Sequence, residues 1–377
     1  MMENSKHVSQ RNLPLDVLRG MTVALMIVVN NPGSWSDIYA PFRHAEWHGF
    51  TLTDLVFPTF LFAVGNSMSF TRKTFRAART AVFYKKVLKR SAIIFLIGFL
   101  LLYFPSFKIE DGKLVFINIL DVRLWGVLQR IAVCYLLASI AIYYLNKRWL
   151  VILSLLTLVG YWAVLYLANP NDPYSLPGNL VRTIDIKIFN PKNLYQGFGM
   201  PFEPEGLLST LPATVNVLAG YLTGLFMQTS GSKKIQAIKM TIIGVILSLT
   251  AILWNTVFPI NKPIWTSSYV LLTVGLDLLI LVVLVVLIEL ANLRKWTYFF
   301  AVFGKNPLFI YIVSWIVLKV LYLIPFGGFS VASSVYRRVF LPALDAKNAS
   351  LAFAVSYMLL MWVICWAMDK RKIYVKV

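Results

Sequence analysis

The chain has 377 residues, of which 58% are hydrophobic and 15% aromatic, with only 14% charged and a formal net charge of +20. Such a composition excludes an ordinary water-soluble domain and describes a protein whose solvent is mostly lipid. The positive charge is dispersed over short connections between apolar runs, a pattern that fits membrane orientation and excludes nucleic acid as the partner.

Apolar runs of about 17 to 25 residues predict helices, because each such run satisfies its own backbone hydrogen bonds in lipid. The opening segment, MMENSKHVSQRNLPLD, lacks the apolar core and cleavage site of a signal peptide. The first hydrophobic run is therefore expected to remain as a membrane helix, with His7 solvated. About ten spans follow, near residues 15–29, 52–70, 91–104, 124–144, 150–168, 208–227, 240–258, 268–290, 298–323 and 351–368. The expected fold is all-α, a polytopic membrane helix bundle forming a single domain over 1–377, with both termini cytoplasmic.

The third span is short, and Lys89 and Arg90 are expected to anchor it by snorkelling. The sixth is weakly apolar and holds Thr210, Thr214 and Asn216, so it should face protein or a wet cavity. Gly220 and Gly224 make a small-xxx-small pair suited to close helix packing or a subunit contact. Cys134 and Cys365 both fall within apolar runs, which predicts neither a disulfide framework nor a thiolate metal site.

Loop charge orients the bundle. The connection after span two carries Arg72, Lys73, Arg76, Arg79, Lys85, Lys86, Lys89 and Arg90 and is assigned to the cytoplasm. Lys147 and Arg148, Lys233 and Lys234, Arg294 and Lys295, and Lys370 to Lys372 then fall on the same side. The opposite face receives a histidine loop, the stretch around Asp111, a long connection over 169–206, the NKPIW segment and region 337–348. The long connection is rich in Pro, Gly and Asn yet carries Tyr195, Phe198 and Phe202, and is read as a lid or binding loop in preference to a floppy linker.

Chemistry concentrates between Asn30 and Ser67. His44 and His48 lie between Asn30 and Asp54, with Trp35, Tyr39 and Trp47 interleaved, and imidazole moves protons near neutrality without a metal. Asp54 opens the second span, where a helix N-terminus stabilises an anion; it is either a helix-terminal acid or the group that orients a histidine. Asn30 ends the first span and is either a helix cap or an amide donor to a developing oxyanion. Arg130, beside Gln129, is a permanent charge within a span and needs an ion pair or an anionic ligand. Asp277 is an isolated acid that requires a partner or a cavity, and Glu203 and Glu205 read as loop acids. No metal-ligand cluster is apparent.

The motifs LDVLRGMTVALMIVVNN, RHAEWHGFTLTDLVFPTFLFAVG, RLWGVLQRIAV, EPEGLLSTLPA, NKPIWTSSYVL and FGKNPLFIYI occur in this order over almost the whole chain. In them the protein resembles the transmembrane acyltransferases typified by heparan-alpha-glucosaminide N-acetyltransferase and its bacterial NagX-type relatives. The resemblance implies acetyl transfer from cytosolic acetyl-CoA to the amine of a terminal glucosamine across the membrane. It places the family's catalytic histidine at His44 and its active-site asparagine at Asn30, and puts His48 where the lysosomal relatives have asparagine. His44 is then a general base or a transient acetyl carrier, with Asp54 its positioning acid. Candidate substrate contacts are His48, Trp47, Arg130, Gln129 and Glu205. The large lumenal N-terminal region of the lysosomal enzymes has no counterpart in the sequence, which argues against a heparan-derived substrate. The implied partners are acetyl-CoA, glucosamine or a glucosamine-terminated glycan, the lipid bilayer and a second copy in a homodimer; the implied location is the bacterial inner (cytoplasmic) membrane, multi-pass. Two other classes compete: a transporter of amino sugars or related small solutes, for which Arg130 and Asp277 would line a path, and a scaffold within a polysaccharide-assembly complex.

Overall fold

The computed structural model describes residues 12–72, 79–110, 113–229 and 231–375; His7, Lys73, Arg76 and Asp111 lie outside them. Its helices in chain order are α1 (Leu13–Asn30), α2 (Leu52–Phe70), α3 (Thr80–Tyr103), α4 (Val127–Tyr144), α5 (Lys147–Ala168), α6 (Leu180–Ile188), α7 (Thr210–Met227), α8 (Lys233–Trp254), α9 (Ser267–Val285), α10 (Thr297–Lys305), α11 (Pro307–Leu323), α12 (Val331–Val335) and α13 (Ala346–Lys370). Among the described residues, α1, α4, α5, α7, α8, α9 (with its π-helical extension to Leu290) and α13 are by themselves long and apolar enough to cross a membrane. The α10–α11 pair makes an eighth span if taken together. α2 and α3 occupy the two remaining expected spans. The protein is thus an all-α polytopic membrane helix bundle.

The interior and the rim of the bundle differ in composition as lipid exposure requires. α5 and α8 turn Leu155, Leu156, Val159, Ile242, Ile246 and Leu253 outward. α2 and α7 are buried on nearly every face and carry the polar groups that lipid would penalise. Within this core Asn216 donates from Nδ2 to Thr273 (3.0 Å) and accepts from Trp265 Nε1 (3.1 Å). The acid within α9 has its partner too: Thr59 Oγ1 lies 2.5 Å from Asp277 Oδ1, joining α2 to α9.

α2 and α7 approach closely because glycine permits it. A Cβ at Gly65 would stand 1.8 Å from the Val217 carbonyl oxygen, and one at Gly220 1.9 Å from that of Phe62. The Gly220–Gly224 pair is therefore occupied inside the chain and lends no support to a subunit contact. Backbone cannot step aside as a side chain can, so Gly220→Leu should destabilise by ~3 kcal/mol or more. The expected outcome is a lost monodisperse peak in fluorescence-detected size exclusion; a wild-type profile and melting temperature would refute the packing argument.

Several expectations change. The third span is not short: α3 has 24 residues and starts at Thr80, so Lys85, Lys86, Lys89 and Arg90 lie on the helix instead of in a loop. Arg90 is exposed, with its guanidinium over the Tyr135 ring (4.7 Å). The ninth span is broken, with α10 and α11 meeting at 84° across Asn306. The cause is local: Pro307 offers no N–H and pushes the residue before it out of the helical region, where Asn306 has φ −131° and ψ 48°. On either side of the undescribed residues 111–112, Phe107–Glu110 pairs antiparallel with Lys113–Phe116, and 325–330 holds a second antiparallel pair. The 169–206 connection contains α6, capped by the Asn179 side chain.

Contacts divide the connections into two groups. At one end the histidine loop meets the long connection (Trp47 Nε1 to Tyr174 O, 2.8 Å), the NKPIW turn (Gly49 N to Ile260 O, 2.8 Å) and the start of α13 (Tyr39 to Asn348, 2.9 Å). At the other end the Asn306 break meets the chain after α13, through Asn306 Nδ2 to Ile373 O (3.0 Å).

Candidate functional site

Where the connections of the histidine end converge, a cavity of about 150 Å³ opens between α1, α2, α4 and α11. Its walls follow from helical spacing. α2 contributes Thr53, Val56, Phe57 and Phe60, α1 contributes Met26, Val29 and Asn30, and α4 contributes Val127, Leu128 and Ile131. Polar groups come from the connections and the helix ends: His44, Glu205, Lys262, Asn30, Thr53 and Tyr311. The result is an apolar slot bearing a small set of convergent polar groups, a form suited to small-molecule binding.

Asp54 organises the polar side. It is the third residue of α2, 1% exposed, and its carboxylate closes a capping box with Thr51. Oδ2 accepts from Thr51 N (3.1 Å) and Ala45 N (3.2 Å). Oδ1 lies 2.6 Å from His44 Nδ1 and 3.4 Å from Lys262 Nζ. A carboxylate has no proton to give, so the short contact makes Nδ1 the N–H of the imidazole and leaves Nε2 with a lone pair. His44 itself is half exposed at the cavity. Asp54 is thus at once the helix-terminal acid of α2 and the partner of the His44 ring.

Asn30 is freed for the cavity by its neighbour. Asn31 Nδ2 returns to the Ile27 carbonyl (2.6 Å) and performs the helix-terminal role, while Asn30, exposed as the last residue of α1, lines the cavity. An amide there is able to donate to an oxygen that gains charge.

Glu205 is also a cavity residue, held by an arginine from the α3–α4 connection. Arg123 forks to Glu203 (2.9 Å from Nε) and reaches Glu205 with Nη2 (2.6 Å). The two carboxylates share one guanidinium, and burial pushes the Glu203 carboxyl up to about 7, while Arg123 and Arg130 draw Glu205 below its ordinary value. This fork, with Asn193 Nδ2 bonded to Val122 O (2.8 Å), ties the long connection down as an ordered cover.

The other predicted contacts stand back from the cavity. Trp47 packs edge-on against Phe198 and Phe202 under that cover. His48 Nδ1 faces Asn261 Nδ2 at 3.2 Å. Arg130 is fully buried, bonded to Ser209 and the Gly206 carbonyl and stacked over Trp265 at 4.7 Å. Gln129 is buried against Gly98 of α3. Conversely, Lys262, Tyr311, Thr53 and Arg123 were not singled out from the sequence. The available signal was a lysine placed before proline in a turn with polar flanks, NKPIW.

That turn is built to hold its lysine still. Asn261 Oδ1 accepts from Ile264 N (2.9 Å), its Nδ2 donates to Trp47 O (2.9 Å), and its carbonyl accepts from Thr266 N (3.0 Å). Trp265 is forced to φ +50°, a conformation that a bulky residue keeps only where its surroundings dictate it.

Residues 11–257 match the family model described as heparan-alpha-glucosaminide N-acetyltransferase, catalytic. The heparan-alpha-glucosaminide N-acetyltransferase of Mus musculus is 27% identical over 364 residues, covering 82% of this chain and 54% of the mouse protein. That of Homo sapiens is 28% identical over 352 residues, covering 79% of this chain and 52% of the human protein. The chain thus spans about half the length of the curated relatives it matches. With the family model covering well over half of its residues, the chain belongs to the heparan-alpha-glucosaminide N-acetyltransferase catalytic family.

Proposed function

We propose that this protein is a transmembrane acetyltransferase, moving an acetyl group from cytosolic acetyl-CoA to the amine of a glucosamine-type sugar on the outer face of a bacterial inner membrane. The observation that carries the reading is the Asp54–His44 pair, which leaves a basic Nε2 at an apolar slot that Asn30 also lines. Lys85, Lys86 and Lys89 on α3, with the other basic connections, support a cytoplasmic position for the far end of the bundle and both termini. The nucleotide would dock there, while the thioester enters between α1, α2 and α4.

In the direct route the sugar nitrogen bonds to the thioester carbonyl carbon as His44 Nε2 takes its proton. The C–S bond breaks with its electron pair on sulfur, and the thiolate receives the proton. Asn30 donates to the carbonyl oxygen while that oxygen bears charge. In the alternative, Nε2 itself receives the acetyl group and then passes it to the amine. A transport reading would place its substrate near the midplane on broken helices, whereas the reacting groups proposed here, His44 and Asn30, stand on a connection and at a helix end.

The test is purified protein in detergent with labelled acetyl-CoA and glucosamine. N-acetylglucosamine and free thiol should appear one for one; folded protein that yields neither refutes the proposal. Incubation with donor alone separates the routes, since an acetyl group on His44 that glucosamine then removes marks the carrier mechanism.

A further inference from the structure

From the geometry of the NKPIW turn we infer that Lys262 is a second acetyl acceptor, so that the protein acetylates itself at this residue when donor is bound and no sugar amine is present. The inference rests on the proposed thioester donor. It also concerns a residue beyond the segment matched by the family model.

An amine accepts an acyl group from a thioester when it is neutral, when a base stands beside it and when the carbonyl carbon can reach it. Lys262 meets each condition. Its Nζ lies 3.4 Å from Asp54 Oδ1, a carboxylate able to take its proton, and 3.1 Å from the protonated Nδ1 edge of His44. It lines the same cavity as His44 and Asn30, the slot into which the acetyl group of the donor is proposed to pass. Its side chain is only 18% exposed, and burial lowers its basicity against the opposing pull of Asp54 and Glu205, which enlarges the neutral fraction. The turn that carries it is fixed on both sides, by Asn261 and by the left-handed Trp265, so the amine does not drift out into solvent.

Chemically this amine is of the same class as the proposed substrate, a primary amine on a flexible carbon stem. Nζ would bond to the carbonyl carbon, the C–S bond would break, and the proton lost by nitrogen would pass by way of the Asp54 carboxylate to the departing thiolate. The products are an amide on Lys262 and a free thiol. Unlike an acetyl-imidazole, an amide is not a competent intermediate. It would remove the ammonium from beside Asp54 and fill part of a cavity of about 150 Å³. The modification would therefore switch the site off while donor is plentiful and acceptor scarce.

To test this, the full chain in detergent is incubated with acetyl-CoA, with and without excess glucosamine. Acetyl groups that survive hydroxylamine, which cleaves acyl-imidazoles, are then mapped by peptide mass spectrometry. Lys262 should carry about tenfold or more acetyl over the exposed Lys85 and Lys86, as expected of an amine beside a base. Glucosamine should suppress the signal, Asp54→Asn should reduce it to the level of the exposed lysines, and Lys262→Arg should abolish it. Glucosamine turnover with Lys262 no more acetylated than Lys85 overturns self-acetylation and leaves the proposed reaction standing. Acetylation of neither the sugar nor Lys262 overturns both.

Discussion

Replacing His44 with alanine is expected to lower kcat/KM for sugar acetylation by about 10²- to 10⁴-fold, the range a general base supplies, and to background if the ring carries the acetyl group. Folding should be nearly untouched. The side chain is half exposed, and Asp54 keeps the backbone N–H groups of Ala45 and Thr51 and the ammonium of Lys262 after the ring is gone. The measurement pairs initial rates from labelled acetyl-CoA with a melting curve. A variant that melts like wild type and works within about tenfold of it excludes His44 from proton transfer.

Asp54→Asn should produce a loss of similar size through different physics. An amide has nearly the shape of the carboxylate and retains one acceptor oxygen, so α2 loses only part of its cap, at a cost of about 1 kcal/mol. The electrostatic change is larger. Asparagine that turns its NH₂ toward Nδ1 makes that nitrogen an acceptor, which moves the ring proton to Nε2 and leaves no base facing the cavity. Lys262, largely buried, loses the anion 3.4 Å away. The expected result is a fall in kcat of about 10²-fold or more with KM moved much less, since Asp54 acts through His44 and not on substrate. A variant altered mainly in KM would show that Asp54 contacts the sugar and does not position the ring.

Much of this was legible in the residues because it depends on local order. Apolar runs long enough to span a bilayer lie on helices, as backbone hydrogen bonding in lipid demands. The pairing of His44 with Asp54 crosses only ten positions, and the residue that caps α1 is the immediate neighbour of Asn30. The bend at Asn306 was readable in the Pro307 that follows it, and was missed because the hydrophobic run continues unbroken through the proline.

Other parts of the site depend on segments far apart in the chain. Lys262 reaches His44 across 218 positions, and Arg123 meets Glu205 across 82, so neither contact leaves a periodic or spaced signature. Arg130 and Glu205 show the same limit from the other side: both are charges near apolar runs, yet one is sealed under Ser209 and Trp265 while the other lines the cavity. By itself the sequence determined the solvent, the helical class and the imidazole with its acid, since lipid solvation and capping act over a few turns. Which charges meet, which asparagine faces the slot and where the slot opens were decided only by tertiary packing, because glycine-mediated contact of α2 with α7 and the folded-over connections set those distances.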